Sequence, residues 1–350
     1  MLGQAKTILG LDIGSHSIKG IVLEDTKSGL VLRTMGLVHL PPQAIMDGEV
    51  QEKEIVVSAI KNLIKSLKIK AKNVCTSISG YSVIIKKISL PRAPRAELAQ
   101  NIEVEAEQFI PFDISEVNVD FMILGEDEGE DDQMEVILVA AKKDVIETYI
   151  DILVEAGLSP NIVDVDVFAL ENAFTHSYPD QQGTVGLIDI GANKMNINII
   201  KEGMSLFTKD AAMGGARITQ DIQDAFGDMD HDTAEGIKLG GVEAPEQSPV
   251  EEVVTRAVEN WIAESQRALD FLESTYPGEK VAEVYLSGGS SRIHGLDKAF
   301  SKELGLPVYL LDPFRKIGID QKQFDPAYVE YMAPQVAICV GLALRRGEEI

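Results

Sequence analysis

One short pattern occurs twice in this sequence, and it limits the folds available to the chain more than any other feature. Ile8-Leu-Gly-Leu-Asp-Ile-Gly-Ser-His-Ser-Ile-Lys-Gly-Ile-Val-Leu-Glu24 is an apolar run that ends at Asp12. It turns at Gly14 through Ser15, His16 and Ser17, reaches Lys19 and becomes apolar again. Val185-Gly-Leu-Ile-Asp-Ile-Gly-Ala-Asn-Lys-Met-Asn-Ile-Asn-Ile-Ile200 has the same outline, and superposing Asp12 on Asp189 sets Ile13 on Ile190 and Gly14 on Gly191. The offset is about half of the 350-residue chain. Each copy reads as a β-hairpin whose tip has no bulky apolar side chain. A repeat on this scale predicts two related domains facing one another, with one hairpin from each at a common cleft.

The tips also predict a chemistry. A glycine there lets backbone N–H groups approach an anion, and successive turn amides form an anion-binding concavity. Lys19 adds a positive charge for the same anion. Asp12 and Asp189, at strand ends, are placed to hold a hydrated divalent cation. Phosphate recognition is therefore expected at Gly14, Ser15, His16 and Ser17 in the first tip, and at Gly191, Ala192 and Asn193 in the second.

Length gives a prior of about two domains, each large enough to bury a core. A formal charge of −24 argues against nonspecific binding to nucleic acid or to an anionic membrane surface. Part of that charge lies in the acidic stretch Glu126–Asp132, which reads as a solvated loop between two strands. Cys75 and Cys339 have no metal-like spacing and lie in apolar surroundings, as buried free thiols of a cytosolic protein would. The apolar run Val336–Leu344 is far short of the roughly 18 residues of a spanning helix. Met-Leu-Gly-Gln-Ala-Lys6 has no signal-peptide pattern, so direct membrane insertion is not expected.

Along the chain, strands are expected at Ile8–Ile13, Ile18–Glu24, Leu30–His39 and Asn73–Ser79, with a helix over Ile55–Leu67. Residues 81–157 read as an insertion with its own core. Its strands are Val83–Leu90, Val117–Leu124 and Met134–Ala141, with helices over Ala93–Phe109 and from a capping box at Asp144 and Glu147 to Gly157. Asn161–Val167 returns as a strand, and Phe168–His176 crosses as a helix to the second half. There, Met213–Asp221 opens a helix, Thr233–Leu239 is a short one, and Ser248-Pro249 with Glu251 starts a long one. Val281–Ser287 is a buried-type strand, and Pro334–Leu344 is an apolar closing helix.

Three further features suit a nucleoside. The bare turn Gly288-Gly289 before Ile293, with Ser290 and Arg292 following it, would let a planar ring lie against backbone, or else simply start a helix. Gly214-Gly215 is similar, with Thr219 able to cap or to hydrogen-bond. Glu235 and Lys238 share a helical face, either as a surface ion pair or as a pair grasping ribose and base. Asp166 stands before the crossing helix, as its N-cap.

In this order, these features resemble the actin-like ATPase superfamily over nearly all 350 residues. The resemblance implies an α/β fold of two facing ribonuclease-H-like domains, with a small α/β subdomain inserted in the first. The first domain would take residues 1–80, 158–180 and 332–350; the insertion 81–157; and the second domain 181–331, with its smaller part at 216–282. It implies ATP and Mg²⁺ in the cleft, the metal held through water by Asp12 and Asp189. Asp12, Gly14, Ser15 and Lys19 would form the first phosphate loop, and Asp189 with Gly191 the second. Gly214, Gly215, Glu235, Lys238, Gly288, Gly289 and Ser290 would lie on the adenosine side. Ala337 and Gly341 would lie on the helix that crosses at the domain interface.

Within the superfamily the chain is similar to the PilM family of type IV pilus assembly proteins, relatives of the FtsA division proteins. Leu90-Pro-Arg-Ala-Pro94, Glu105-Ala-Glu-Gln-Phe-Ile-Pro-Phe112 and Val163-Asp-Val-Asp-Val-Phe-Ala-Leu-Glu-Asn-Ala173 carry that likeness. The likeness implies a cytoplasmic scaffold, peripheral at the inner membrane through its partners. Its groove between first domain and insertion would take the N-terminal peptide of PilN, a segment of the type Ile-Asn-Leu-Leu-Pro. The PilN/PilO/PilP complex and the pilus motor ATPases are the wider partners implied, with no nucleic acid and with weak self-association left open. Ala192 stands where actin has an acid, Met195 where many relatives have a hydroxyl, and Asp166 at the position that orients water, one methylene shorter than Glu. Tight MgATP binding with slow or absent turnover is expected. The alternatives are an FtsA-like filament former, disfavoured by the absence of an amphipathic helix in Leu344–Ile350, and an actin-like component of a type II secretion platform.

Overall fold

The computed structural model describes residues 8–46, 48–126 and 132–345. Most of the acidic stretch, the first seven residues and the last five lie outside the described residues, and with them the expectations about a solvated loop, a leader and a terminal helix.

The chain opens with β1 (Leu9–Ile13), β2 (Ser17–Thr26) and β3 (Gly29–His39). The two-residue pair β4 (Ile45–Met46) and β5 (Glu49–Val50) follows, then α1 (Lys53–Ser66) and β6 (Asn73–Ile78). It continues through β7 (Val83–Pro91), α2 (Arg95–Ala106), β8 (Val117–Glu126), β9 (Gln133–Lys142) and α3 (Lys143–Glu155) to β10 (Ser159–Val165). α4 (Asp166–Ser177) leads into β11 (Thr184–Ile190), β12 (Met195–Lys201) and β13 (Met204–Ala211). Next come α5 (Ala216–Phe226), α6 (His231–Lys238), α7 (Gln247–Thr275), β14 (Val281–Ser287), α8 (Leu296–Leu304) and β15 (Val308–Leu310). α9 (Pro326–Met332) and α10 (Ala337–Leu344), joined by a 3-10 turn, end the described chain.

The sheets bear out the repeat. The first runs β10-β6-β1-β2-β3 and the second, read the other way, β15-β14-β11-β12-β13. Strand for strand they coincide. β1–β3 and β11–β13 are antiparallel meanders, while β6 with β10 and β14 with β15 extend each sheet in parallel. β1 and β11 are buried at every residue, which explains why the two motif strands read as unbroken apolar runs rather than alternating ones.

α1 packs Val56, Ile60 and Leu63 on the first sheet, and Trp261 of α7 lies in the core of the second. Between the sheets, Ala169, Leu170 and Phe174 of α4 and Ala337, Ile338 and Leu342 of α10 share one core with Val185, Leu187 and Tyr285. The two helices cross so closely that a Cβ on Gly341 would stand 1.7 Å from the Ala169 carbonyl oxygen. Only glycine fits there, at the crossing that the family resemblance implied for this helix.

β7, β9 and β8 form a separate three-stranded sheet. Its core takes Leu98, Ile102 and Ala106 from α2 but nothing from α3. α3 instead buries Tyr149, Ile152 and Leu153 in the core of the first sheet, so the insertion's own core is smaller than the sequence implied.

Four local expectations need correcting. α3 starts at Lys143, and the Asp144 carboxylate accepts from the neighbouring Val145 N–H, so no capping box forms. α7 starts at Gln247 with no side-chain cap, and Pro249 sits in its first turn, where a missing N–H costs nothing. α4 begins two residues earlier than expected, with Val165 as its cap residue, so the Asp166 side chain is free of capping. Finally, the helical path Pro326–Leu344 spans 19 residues and is apolar and long enough to cross a bilayer, where the sequence suggested a much shorter stretch. Two-thirds of its most apolar window (67%) is buried in the protein, as befits a core helix.

Candidate functional site

The two hairpin tips are built alike. Ile13 pairs with Ile18, and Ile190 with Met195, leaving four-residue tips. Each is closed by its glycine: Gly14 N–H donates to Ser17 O at 3.1 Å and Gly191 N–H to Lys194 O at 2.9 Å. The tips meet in a cleft between the sheets. Asp12, Ser15, His16, Lys19, Asp189, Ala192, Asn193, Glu235, Lys238, Gly289, Ser290 and Arg292 all line it. Among the sequence-derived residues, Gly214, Gly215, Thr219 and Gly288 stand behind this lining.

Lys19 lies opposite Asp12 across β1 and β2, with Nζ 2.8 Å from Oδ2. Burial alone would lower its pKa, but Asp12 overcomes that and holds it above the ordinary lysine range. Burial pushes the Asp189 carboxyl up to about 6, although Ser287 Oγ donates to it at 2.8 Å and Lys19 is near. Asn196 faces Asp189 across β11 and β12, where the first hairpin has Lys19. It is 1% exposed, and neither its side-chain oxygen nor its nitrogen has a partner.

The side of the cleft assigned to a nucleoside is a connected network. Lys238 Nζ donates to Glu235 Oε2 at 2.5 Å, to Thr219 Oγ1 at 3.1 Å and to Gly215 O at 3.2 Å, and Thr219 Oγ1 donates to Glu235 at 2.6 Å. Lys238 is buried, so the surface-pair reading fails. Burial carries its pKa below the lysine range despite Glu235, while Lys238, Thr219 and His16 outweigh burial at Glu235 and keep that carboxyl low. Gly215 is packed so tightly that a Cβ would lie 2.2 Å from Ser290 Oγ. Arg292 donates to Gly289 O at 3.3 Å, and its guanidinium lies 4.5 Å from the ring centre of Tyr331.

At the other end, Asp166 accepts from Ser77 Oγ at 2.6 Å, Ser79 Oγ at 2.5 Å and Lys194 Nζ at 2.9 Å. Burial would raise its pKa, but Lys194 and the two serines outweigh burial and hold it below the carboxylate range. A small second cavity adjoins here, lined by Ile45, Gly48, Ser79, Gly80, Tyr81 and Tyr149 together with Lys194 and Asp210.

Sequence reasoning missed Lys194, because the alignment of the repeats matches it to Ser17, not to Lys19. It also missed His39 and His231. His39 Nδ1 and His16 Nε2 are 3.1 Å apart, and the His16 and His231 rings stack at 5.4 Å, so three of the five histidines meet at the cleft from both halves. Tyr328, Tyr331 and Gln335 reach the cleft from the closing helices, and the Gln335 side-chain oxygen has no partner.

Among the described residues no three ligating side chains are grouped to hold a bare metal ion. Two carboxylates at strand ends with an unpartnered amide beside one of them suit a hydrated cation instead. The bare tips with Lys19 suit a polyphosphate.

Two facing sheets of the same topology, hairpin tips at a common cleft and two helices crossing between them define the actin-like ATPase fold. The match is with solved structures including the ethanolamine utilization protein EutJ from Carboxydothermus hydrogenoformans (TM-score 0.58, 15% identity, 98% of this chain and 90% of that one). Another is MreB5 of Spiroplasma citri bound to AMPPNP (TM-score 0.51, 12% identity, 96% and 94%). The chain belongs to the family described as type IV pilus assembly protein PilM, whose model matches residues 10–347. It is also similar to a structure of the PilM–PilN type IV pilus biogenesis complex, at TM-score 0.87 and 25% identity over 99% of this chain and 100% of that one. A role in type IV pilus assembly follows from that membership.

Proposed function

We propose that this protein is a cytoplasmic, ATP-binding scaffold of the type IV pilus inner-membrane assembly complex, binding the cytoplasmic N-terminal peptide of PilN. The observation that carries the nucleotide half is the pair of like hairpin tips meeting at one cleft. Their amides and Lys19 would hold the phosphates. Asp12 and Asp189 would hold the hydration shell of Mg²⁺, and the Glu235–Lys238–Thr219 network with Arg292 would hold the nucleoside. Magnesium supplies charge neutralisation of the phosphates when bound.

The carboxylate that would have to orient an attacking water, Asp166, has three partners already. That supports a structural role for the nucleotide, with slow or absent hydrolysis, in which ATP favours a closed arrangement by binding it preferentially. The similarity to the PilM–PilN complex supports PilN as the partner, and through it attachment to the inner membrane alongside PilO and PilP. A groove where the first sheet meets the insertion would take the peptide, with Tyr81, 70% exposed, at its rim.

Calorimetric titration with a PilN-type N-terminal peptide, with and without MgATP, tests the proposal. One-to-one saturable binding is expected, weakened about tenfold or more by Tyr81→Ala. Absence of binding in both conditions would overturn the scaffold reading. Asp12→Ala and Lys19→Ala should each abolish thermal stabilisation by MgATP, and full stabilisation in both variants would sink the cleft assignment.

A further inference from the structure

The nucleotide reading gives no task to Lys194, yet this lysine ties the second hairpin tip to Asp166 in the phosphate half of the cleft. It stands at the end of the second hairpin tip, its own carbonyl closing that tip through Gly191 N–H. Its ammonium is 2.9 Å from Asp166, and it lines both the cleft and the second cavity. Gly14, Ser15 and Asn193 are shared by the two cavities in the same way, whereas Glu235, Lys238 and Arg292 line the cleft alone. The shared wall is therefore the end of the cleft furthest from the nucleoside network, where the last phosphate of a bound nucleotide would lie.

What Lys194 holds is equally specific. Asp166 ties Ser77 and Ser79, the end of β6 and the first residue of the connector into β7. The next residue, Gly80, donates its N–H at 3.3 Å to Asp210 at the end of β13, a second carboxylate within the field of Lys194. The connector is thus held from both halves of the molecule, with Lys194 between the two carboxylates. A phosphate placed at the second tip competes for the lysine with Asp166, because a polyanion at contact distance in a partly desolvated site is the stronger partner.

We propose that Lys194 is the specificity-determining residue that reads the terminal phosphate, and that its exchange of Asp166 for that phosphate loosens the Ser79–Gly80 connector of the inserted sheet. This rests on the nucleotide reading above. Lys19, already paired within its own hairpin, holds the nucleotide whether or not the last phosphate is present. Lys194 responds to the last phosphate alone.

The test is calorimetry of the full chain with MgATP and with MgADP, on wild type, Lys194→Gln and Lys194→Arg, together with amide hydrogen exchange at residues 79–82. Lys194→Gln is expected to weaken MgATP about tenfold or more while leaving MgADP within about twofold, and Lys194→Arg to restore most of the loss. Exchange at the connector should rise with MgATP but not with MgADP in wild type, and with neither in Lys194→Gln. Asp166→Asn separates the two roles: Lys194 is then unclasped, so MgATP should bind at least as tightly as in wild type while the exchange response disappears. An unchanged ATP-to-ADP affinity ratio in Lys194→Gln, with wild type binding both, would overturn the proposal and leave the cleft assignment intact. Failure of wild type to bind either nucleotide would remove both.

Discussion

Two side chains make the cleft sensitive to pH, with opposite signs. Asp189 titrates at about 6 in the fold, against an ordinary 3.8, because burial opposes its charge. The folded state therefore holds that proton more tightly than the unfolded chain. Its contribution to stability is present below pH 3.8 and lost as pH rises through about 6. A cation shell needs the ionised form, so affinity for MgATP should fall by up to tenfold per pH unit below about 6. Calorimetry between pH 5 and 7.5 should find this slope in wild type and not in Asp189→Asn, which binds weakly throughout. His16 runs the other way. Burial lowers it from 6.5 to about 4, outweighing Glu235, with His39, His231 and Lys238 adding to the depression. The unfolded chain takes up the proton first, so the fold should lose roughly 1–3 kcal/mol as pH falls from about 6.5 to about 4. Relative to His16→Gln, wild type should lose melting temperature over that interval. A constant difference between the two would show that His16 is not held neutral.

At the scale of elements, the fold depends on how closely α10 can approach α4. With 1.7 Å between a Cβ at position 341 and the Ala169 carbonyl oxygen, both backbones would have to move to admit even one methyl group. Gly341→Ala should cost about 3 kcal/mol or more, read as a lower urea midpoint at unchanged slope, whereas Ala337→Gly on the same helix should cost much less. The sequence carried this crossing only through the small residues of the helix. The repeated hairpins were legible because both their strands are buried on two faces and their tips are stripped of side chains, so composition and geometry coincide. β13, α8 and β15 went unread. β13 is mostly half-buried with no clean alternation, and three-residue β15 at the sheet edge is too short for a period to register. Lys194 was invisible for another reason. Its value comes from Asp166, which reaches it only when the first sheet's crossing helix is brought against the second hairpin. No local pattern encodes that.

Apart from the inserted sheet, the molecule is two copies of one sheet joined through a core that belongs to both. Cys75 of β6 and Leu187 of β11 lie in the same cluster as α4 and α10, so neither half can open its side of that core without exposing the other's. Such a chain is expected to unfold as one unit although it contains two domains. A ligand that bridges the hairpin tips touches both copies and binds the folded chain alone. At a hundred times its dissociation constant it adds about 2.7 kcal/mol to stability. For a chain of this size that should raise the melting temperature by about 4 °C. Calorimetric scans should therefore show one transition that moves as a whole on adding MgATP and does not move in Asp12→Ala. Two transitions of which MgATP moves only one would mean that the nucleotide rests on a single half. The shared core would then be too weak to transmit its binding, and the cleft would not be the clamp that the paired hairpins imply.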